Sequence, residues 1–187
     1  MEAFPDGVLA IIITIMVLEL RPPHEADWRA LQELLPTILG YILSFLYVGI
    51  YWNNHHHLMQ AAKTVNGRVL WMNMFMLFWL SLIPFATSWM GETHFRSHPV
   101  TLYGLVLLMA GVSYYLLEMA LVAIHGKDSV LGQAVGEDIK GRISLVVYIV
   151  AVLVAQVSPL VACALFVLVA LMWLIPDQRI EKALTGK

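Results

Sequence analysis

Two groups of polar residues stand out in a chain that is otherwise apolar. The first is the string Trp52-Asn53-Asn54-His55-His56-His57. Three consecutive imidazoles raise the question of a metal, because the neutral ring is a common ligand. On a helix, however, neighbouring side chains point about 100° apart and do not converge on one ion. No Cys, Asp or Glu accompanies them at ligand spacing, so the expectation is a hydrogen-bonded interfacial cluster and no metal centre. The second group is a pair of carboxylates at the ends of the first apolar run, Asp6 just before Val8–Leu20 and Glu19 inside it. A further carboxylate, Glu118, sits deep in a later apolar run, one turn after Tyr114 and Tyr115. Its expected role is structural, satisfied by a neighbouring helix. Neither H-E-x-x-H nor G-x-S-x-G occurs, and no nucleophile–base pair presents itself, so an enzyme is not expected.

The elements that must position these groups follow from composition. Of 187 residues, 60% are hydrophobic and 13% charged, about half the charged share of roughly 25% usual in soluble chains. That excludes a soluble enzyme core and a disordered chain. A net charge of −2 gives no basic surface for nucleic acid. Cys163 is the sole cysteine, so neither an intrachain disulfide nor a cysteine-based zinc site arises. The first apolar run follows acidic residues and lacks a basic n-region, which fits a mature span better than a signal peptide. The fold class expected is an all-α integral membrane protein in a single domain.

About 20 apolar residues carry a helix across the hydrocarbon core. Arg68–Met90 and Pro99–Ile124 meet that length, and Pro36–Trp52 meets it if its polar end reaches the interface. Residues 143–175 form a 33-residue apolar stretch, about 50 Å as one helix and too long for a ~30 Å core. Ser158-Pro159 interrupts it, which predicts two short spans and a tight turn. Val8–Leu20 has only thirteen residues and carries polar ends, so a crossing there needs screening by protein or water. The result is six spans, approximately 5–20, 36–57, 68–90, 99–125, 142–157 and 159–176. On one side fall Lys63, Arg68, Lys127, Lys140, Arg142, Arg179, Lys182 and Lys187, and on the other Arg21, Arg29 and Arg96. Eight basic residues against three favour cytoplasmic termini. Trp52, Trp71, Trp89 and Trp173 fall near span ends, where an aromatic belt belongs.

In the first span Pro5 suits the opening turn, and Asp6 complements the positive end of the helix dipole. At 100° per residue, Ile11, Thr14, Ile15 and Leu18 share one stripe about 100° wide. Asp6 lies on roughly the opposite side, facing a neighbouring helix, and a His or Asn of the 52–57 string is an expected partner for it. Glu19 falls near the stripe's far edge, where it would border an outer mouth. The stripe admits two readings, ordinary helix packing or a ring of apolar side chains around a symmetry axis. Periodicity does not choose between them.

At these strings the chain resembles the prokaryotic branch of the transmembrane protein 175 family, the lysosomal potassium channel family. That family's signature, R-x-x-x-F-S-D followed by an Ile/Leu-rich run, is matched by Phe4, Pro5 and Asp6 and the residues after them. A second string, W-x-N-H-H, is matched by Trp52, Asn54, His55 and His56. Pro5 stands where the motif has serine, which removes a hydroxyl and a backbone donor from the motif's packing network. The motif arginine falls one position before Met1. The resemblance implies a homotetramer in a bacterial inner membrane, with the first helix of four subunits lining a central pore. It implies a hydrophobic constriction at Ile11, Ile15 and Leu18, and a threonine layer at Thr14. The permeant ion would be K⁺, with no cofactor.

A tight apolar ring disfavours sodium, which sheds water at higher cost than potassium, and Thr14 oxygens would offset part of that cost. Without a T-V-G-Y-G filter, the expected preference is modest. The alternative is a secondary transporter of a small solute or ion, which requires a midplane polar site, with Glu118 its sole candidate.

Overall fold

A computed structural model describes residues 3–23, 26–62, 64–126, 129, 131–132 and 138–174. Lys63, Lys127, Arg179, Lys182 and Lys187 of the loop-charge count, and the end of the expected 159–176 span, lie outside the described residues. Among the described residues every regular element is a helix: α1 Ala3–Leu18, α2 Trp28–Glu33, α3 Leu35–Ala61, α4 Gly67–Ser81, α5 Ile83–Glu92, α6 Ser97–His125, α7 Ile139–Val154 and α8 Pro159–Leu174. Among the described residues three stretches are long and apolar enough to cross a membrane, Leu35–Ala61, Gly67–Glu92 and Ser97–His125, and Ala3–Leu18 and Pro159–Leu174 are shorter apolar helices.

Side-chain caps set several starts. Asp27 Oδ1 accepts from the Ala30 amide at 2.8 Å, Asn66 Oδ1 from Val69 at 3.1 Å, and Asp138 Oδ1 from Gly141 at 3.1 Å. The Asp27 cap opens α2, a six-residue helix absent from the expected spans because it is too short to show a period. The expected 68–90 span is broken at Leu82 into α4 and α5. Pro84 stands at the start of α5, where it has no amide to continue the ladder of α4, and Leu82 closes that ladder with a bond to Trp79 O at 3.2 Å. The chain turns again over residues 155–158 before Pro159 opens α8.

Helix α6 is the hub, packing against α4, α5, α7 and α8, while α1 lies against α3, α4 and α5. The core between them holds large side chains such as Tyr47, Met76, Tyr103, Leu107 and Phe166. Its polar groups are paired in a directed chain. Thr87 donates to Ile83 O at 2.7 Å, which leaves Ser44 to donate to Thr87 Oγ1 at 2.6 Å and Tyr103 to donate to Ser44 Oγ at 3.0 Å. Tyr47 donates to Phe166 O at 2.6 Å and ties α3 to α8. Each bond removes the cost of a bare hydroxyl in an apolar interior, roughly 1–3 kcal/mol.

Close helix contacts rest on glycine. A Cβ on Gly91 would lie 2.7 Å from Thr37 Cα, so α3 and α5 meet backbone to backbone there. Gly91→Ala is expected to lower stability by about 1–3 kcal/mol, read as a lower thermal unfolding midpoint of the purified protein. Gly49→Ala, where no atom lies within 4 Å, should leave it unchanged or raise it by about 0.5–1 kcal/mol.

Candidate functional site

Helix α1 has two faces of different fate. Pro5, Leu9, Ile12 and Met16, spaced four, three and four residues apart, are buried against the rest of the subunit. The other face carries the four stripe residues. Ile11, Ile15 and Leu18 are 60%, 42% and 71% exposed, and Thr14 is exposed between them. Phe4 and Gly7 continue that face toward the start of the helix. The Thr14 hydroxyl donates its one proton to Ala10 O at 2.9 Å. Its lone pairs are therefore the part left for a ligand on that face, and they can accept or coordinate but not donate.

Asp6 is bound by α3, but through a residue other than those expected. Trp52 Nε1 donates to Asp6 Oδ1 at 3.0 Å, whereas the sequence reading gave that carboxylate a His or Asn partner. The reason is azimuth. Asn54 turns back to donate to Ile50 O at 2.8 Å, and His55, buried, points to α4 and donates through Nε2 to Asn73 Oδ1 at 2.8 Å. His56 accepts from Gln60 Nε2 at 2.9 Å and stacks on the Trp52 ring, with centroids 5.8 Å apart and an 18° interplanar angle. His55 and His56 thus take different partners, and among the described residues no group of three or more His, Cys, Asp or Glu side chains is placed to hold a metal ion. Pro5 is buried where the motif serine would stand, and Phe4 is exposed at the edge of the cluster.

At the opposite end of α1, Ser88 Oγ of α5 donates to Glu19 Oε2 at 3.0 Å. Asn73 and Ser88 are the partners the sequence reading did not name. Each is a polar residue inside an otherwise apolar run, which is the only trace of its role in the sequence. Glu118 is buried within α6.

The family model for the endosomal/lysosomal potassium channel TMEM175 matches residues 1–84, which include both strings. A potassium channel of Chryseobacterium sp. (strain P1-3) is 52% identical over 184 residues, covering 98% of this chain and 96% of the relative. The endosomal/lysosomal proton channel TMEM175 of Homo sapiens is 31% identical over 96 residues, 48% of this chain and 19% of that protein. The crystal structure of a lysosomal potassium-selective channel TMEM175 homolog from Chamaesiphon minutus superposes with a TM-score of 0.80, covering 94% of this chain and 95% of that one, at 23% identity. That likeness shows the same fold, and the Chryseobacterium relative matches nearly end to end. The chain therefore belongs to the TMEM175 family.

Proposed function

We propose that the chain forms a potassium-favouring cation channel, a homotetramer in which α1 of each subunit lines a central pore. The observation that carries this reading is the exposed face of α1. A sixteen-residue helix with one face packed into its own subunit leaves Ile11, Ile15 and Leu18 open, although Thr14 and the polar ends make that face a poor match for lipid. Phe4, Gly7, Ile11, Thr14 and Leu18 repeat at intervals of three and four, the spacing of a seam between supercoiled helices. A second copy of the same face satisfies that spacing. The number of copies rests on family membership, as do the permeant ion and the absence of catalysis.

On this reading the protein sits in a bacterial inner membrane with six crossings and cytoplasmic termini. The excess of Lys and Arg on the side of the 53–67 loop supports that orientation. Ile11, Ile15 and Leu18 form a dewetted constriction that an ion enters by shedding water. Potassium loses its shell at lower cost than sodium, and Thr14 oxygens, with their proton already committed to Ala10, return part of the lost coordination. The Asp6–Trp52 bond and the buried Leu9, Ile12 and Met16 fix the rotation of α1 and hence which side chains face the axis.

Reversal potentials across planar bilayers under a K⁺/Na⁺ gradient test the channel. Wild type should reverse toward the potassium potential. Ile11→Asn wets the ring, and a fall of about three- to tenfold in the permeability ratio is expected, roughly 0.7–1.4 kcal/mol of lost discrimination. Saturable flux coupled to a second solute, with no unitary current, would instead favour the transporter. Trp52→Phe keeps the stack with His56 but loses the bond to Asp6, and should lower stability by about 1–2 kcal/mol in thermal unfolding.

A further inference from the structure

The Leu18 end of α1 opens onto a cleft shared with α5, whose walls include Ile15, Glu19, Arg21, Ser88, Trp89 and Glu92. Ile15 belongs to the exposed stripe, so the cleft is continuous with the face assigned to the constriction. It holds two carboxylates against one guanidinium, a net single negative charge per subunit. Glu19 is the carboxylate closest in sequence to the stripe. Its amide extends the helical turn to Ile15 O at 3.2 Å, and its side chain is fixed by Ser88 at 3.0 Å.

We propose that Glu19 sets the conductance of the channel: four copies at the Leu18-end mouth concentrate monovalent cations ahead of the apolar ring. This rests on the channel reading above and adds a residue with a separable role. An Ile/Leu ring carries no charge, so it discriminates by dehydration cost but does nothing to gather ions. The rate of entry then depends on the cation concentration at the mouth, and fixed negative charge between low-dielectric walls raises it. Glu19 acts at a distance and before dehydration, so it changes throughput without changing which ion wins. Arg21 in the same cleft opposes it, and Glu92 adds to it.

The competing role for Glu19 is mechanical, pinning the end of α1 to α5 through Ser88, and ionic strength separates the two. The experiment measures single-channel conductance of the reconstituted full-length protein in 10 mM and 1 M KCl. Glu19→Gln retains an oxygen for Ser88 but loses the charge. Its conductance should fall about threefold at 10 mM, where the screening length is ~30 Å, and match wild type at 1 M, where it is ~3 Å. Its K⁺/Na⁺ permeability ratio should not move. Ser88→Ala keeps the charge and removes only the anchor, so any change in its conductance should be the same at 10 mM and 1 M KCl. Arg21→Gln should raise conductance at 10 mM, which tests the same field even if Glu19→Gln fails to assemble. Equal low-salt conductance in Glu19→Gln and wild type, the same deficit at both salts, or no rise in Arg21→Gln would overturn the proposal. Absence of any wild-type current would overturn the channel reading instead.

Discussion

Helix α1 is sixteen residues long, about 24 Å, against a hydrocarbon core of ~30 Å, and that shortfall governs what can surround it. Asp6 lies in its first turn and Glu19 one residue past its end, so a lipid-facing α1 would bring two carboxylates to the edge of the apolar layer. Each is instead held by a donor from a neighbouring helix: Trp52 of α3 holds Asp6, and Ser88 of α5 holds Glu19. Between these two polar anchors Leu9, Ile12 and Met16 pack inward. Two end bonds and an apolar seam leave α1 little freedom to rotate, and the face turned outward follows from that.

The remaining helices make a frame stiff enough to hold α1 in place. Gly91 lets α3 and α5 touch at Thr37, and Gly104 leaves room for the Phe166 ring, whose edge would otherwise lie 2.8 Å from a Cβ. Small residues bring backbones close, and closeness allows the Tyr103–Ser44–Thr87 hydroxyl chain to span α6, α3 and α5. In an apolar surrounding such a chain gains mainly by leaving no polar group bare, so it fixes register between helices as much as it adds stability. Because α3 supplies Trp52 to α1 and α5 supplies Ser88, register errors between those two helices would be passed directly to the exposed stripe.

Much of this was legible in the sequence for a physical reason. The stripe of Ile11, Thr14, Ile15 and Leu18 depends only on the 100° step of a helix, and the exposed face of α1 carries those four residues. The direction of Asp6 toward a neighbouring helix follows from the same step. The identity of its partner did not follow, because Trp52, Asn54 and His55 lie within one turn of α3 and only the azimuth of that helix decides which meets α1. His55 faces α4 and Asn73; Trp52 faces Asp6. The break at Leu82 was equally hidden, since composition continues unchanged across Pro84 and the missing amide alters the ladder without altering hydropathy. The short α2 depends on one capping carboxylate, Asp27, and on no periodic pattern.

On the channel reading, a division of labour along α1 explains how such a small element carries a selective function. Discrimination and throughput make opposite demands on an ion path, because tight apolar walls raise the cost of entry for every ion while separating them by dehydration cost. Placing the apolar residues in the helix interior and the charges at its ends separates the two demands in space. Thr14 stands among the apolar layers, and its hydroxyl proton is engaged by Ala10 O. On the channel reading it therefore offers electron pairs to a cation at the depth where water has been lost, without donating a hydrogen bond that would favour an anion. On the channel reading, the modest selectivity of a side-chain ring without a carbonyl filter is the consequence of using one oxygen per subunit where a filter uses several.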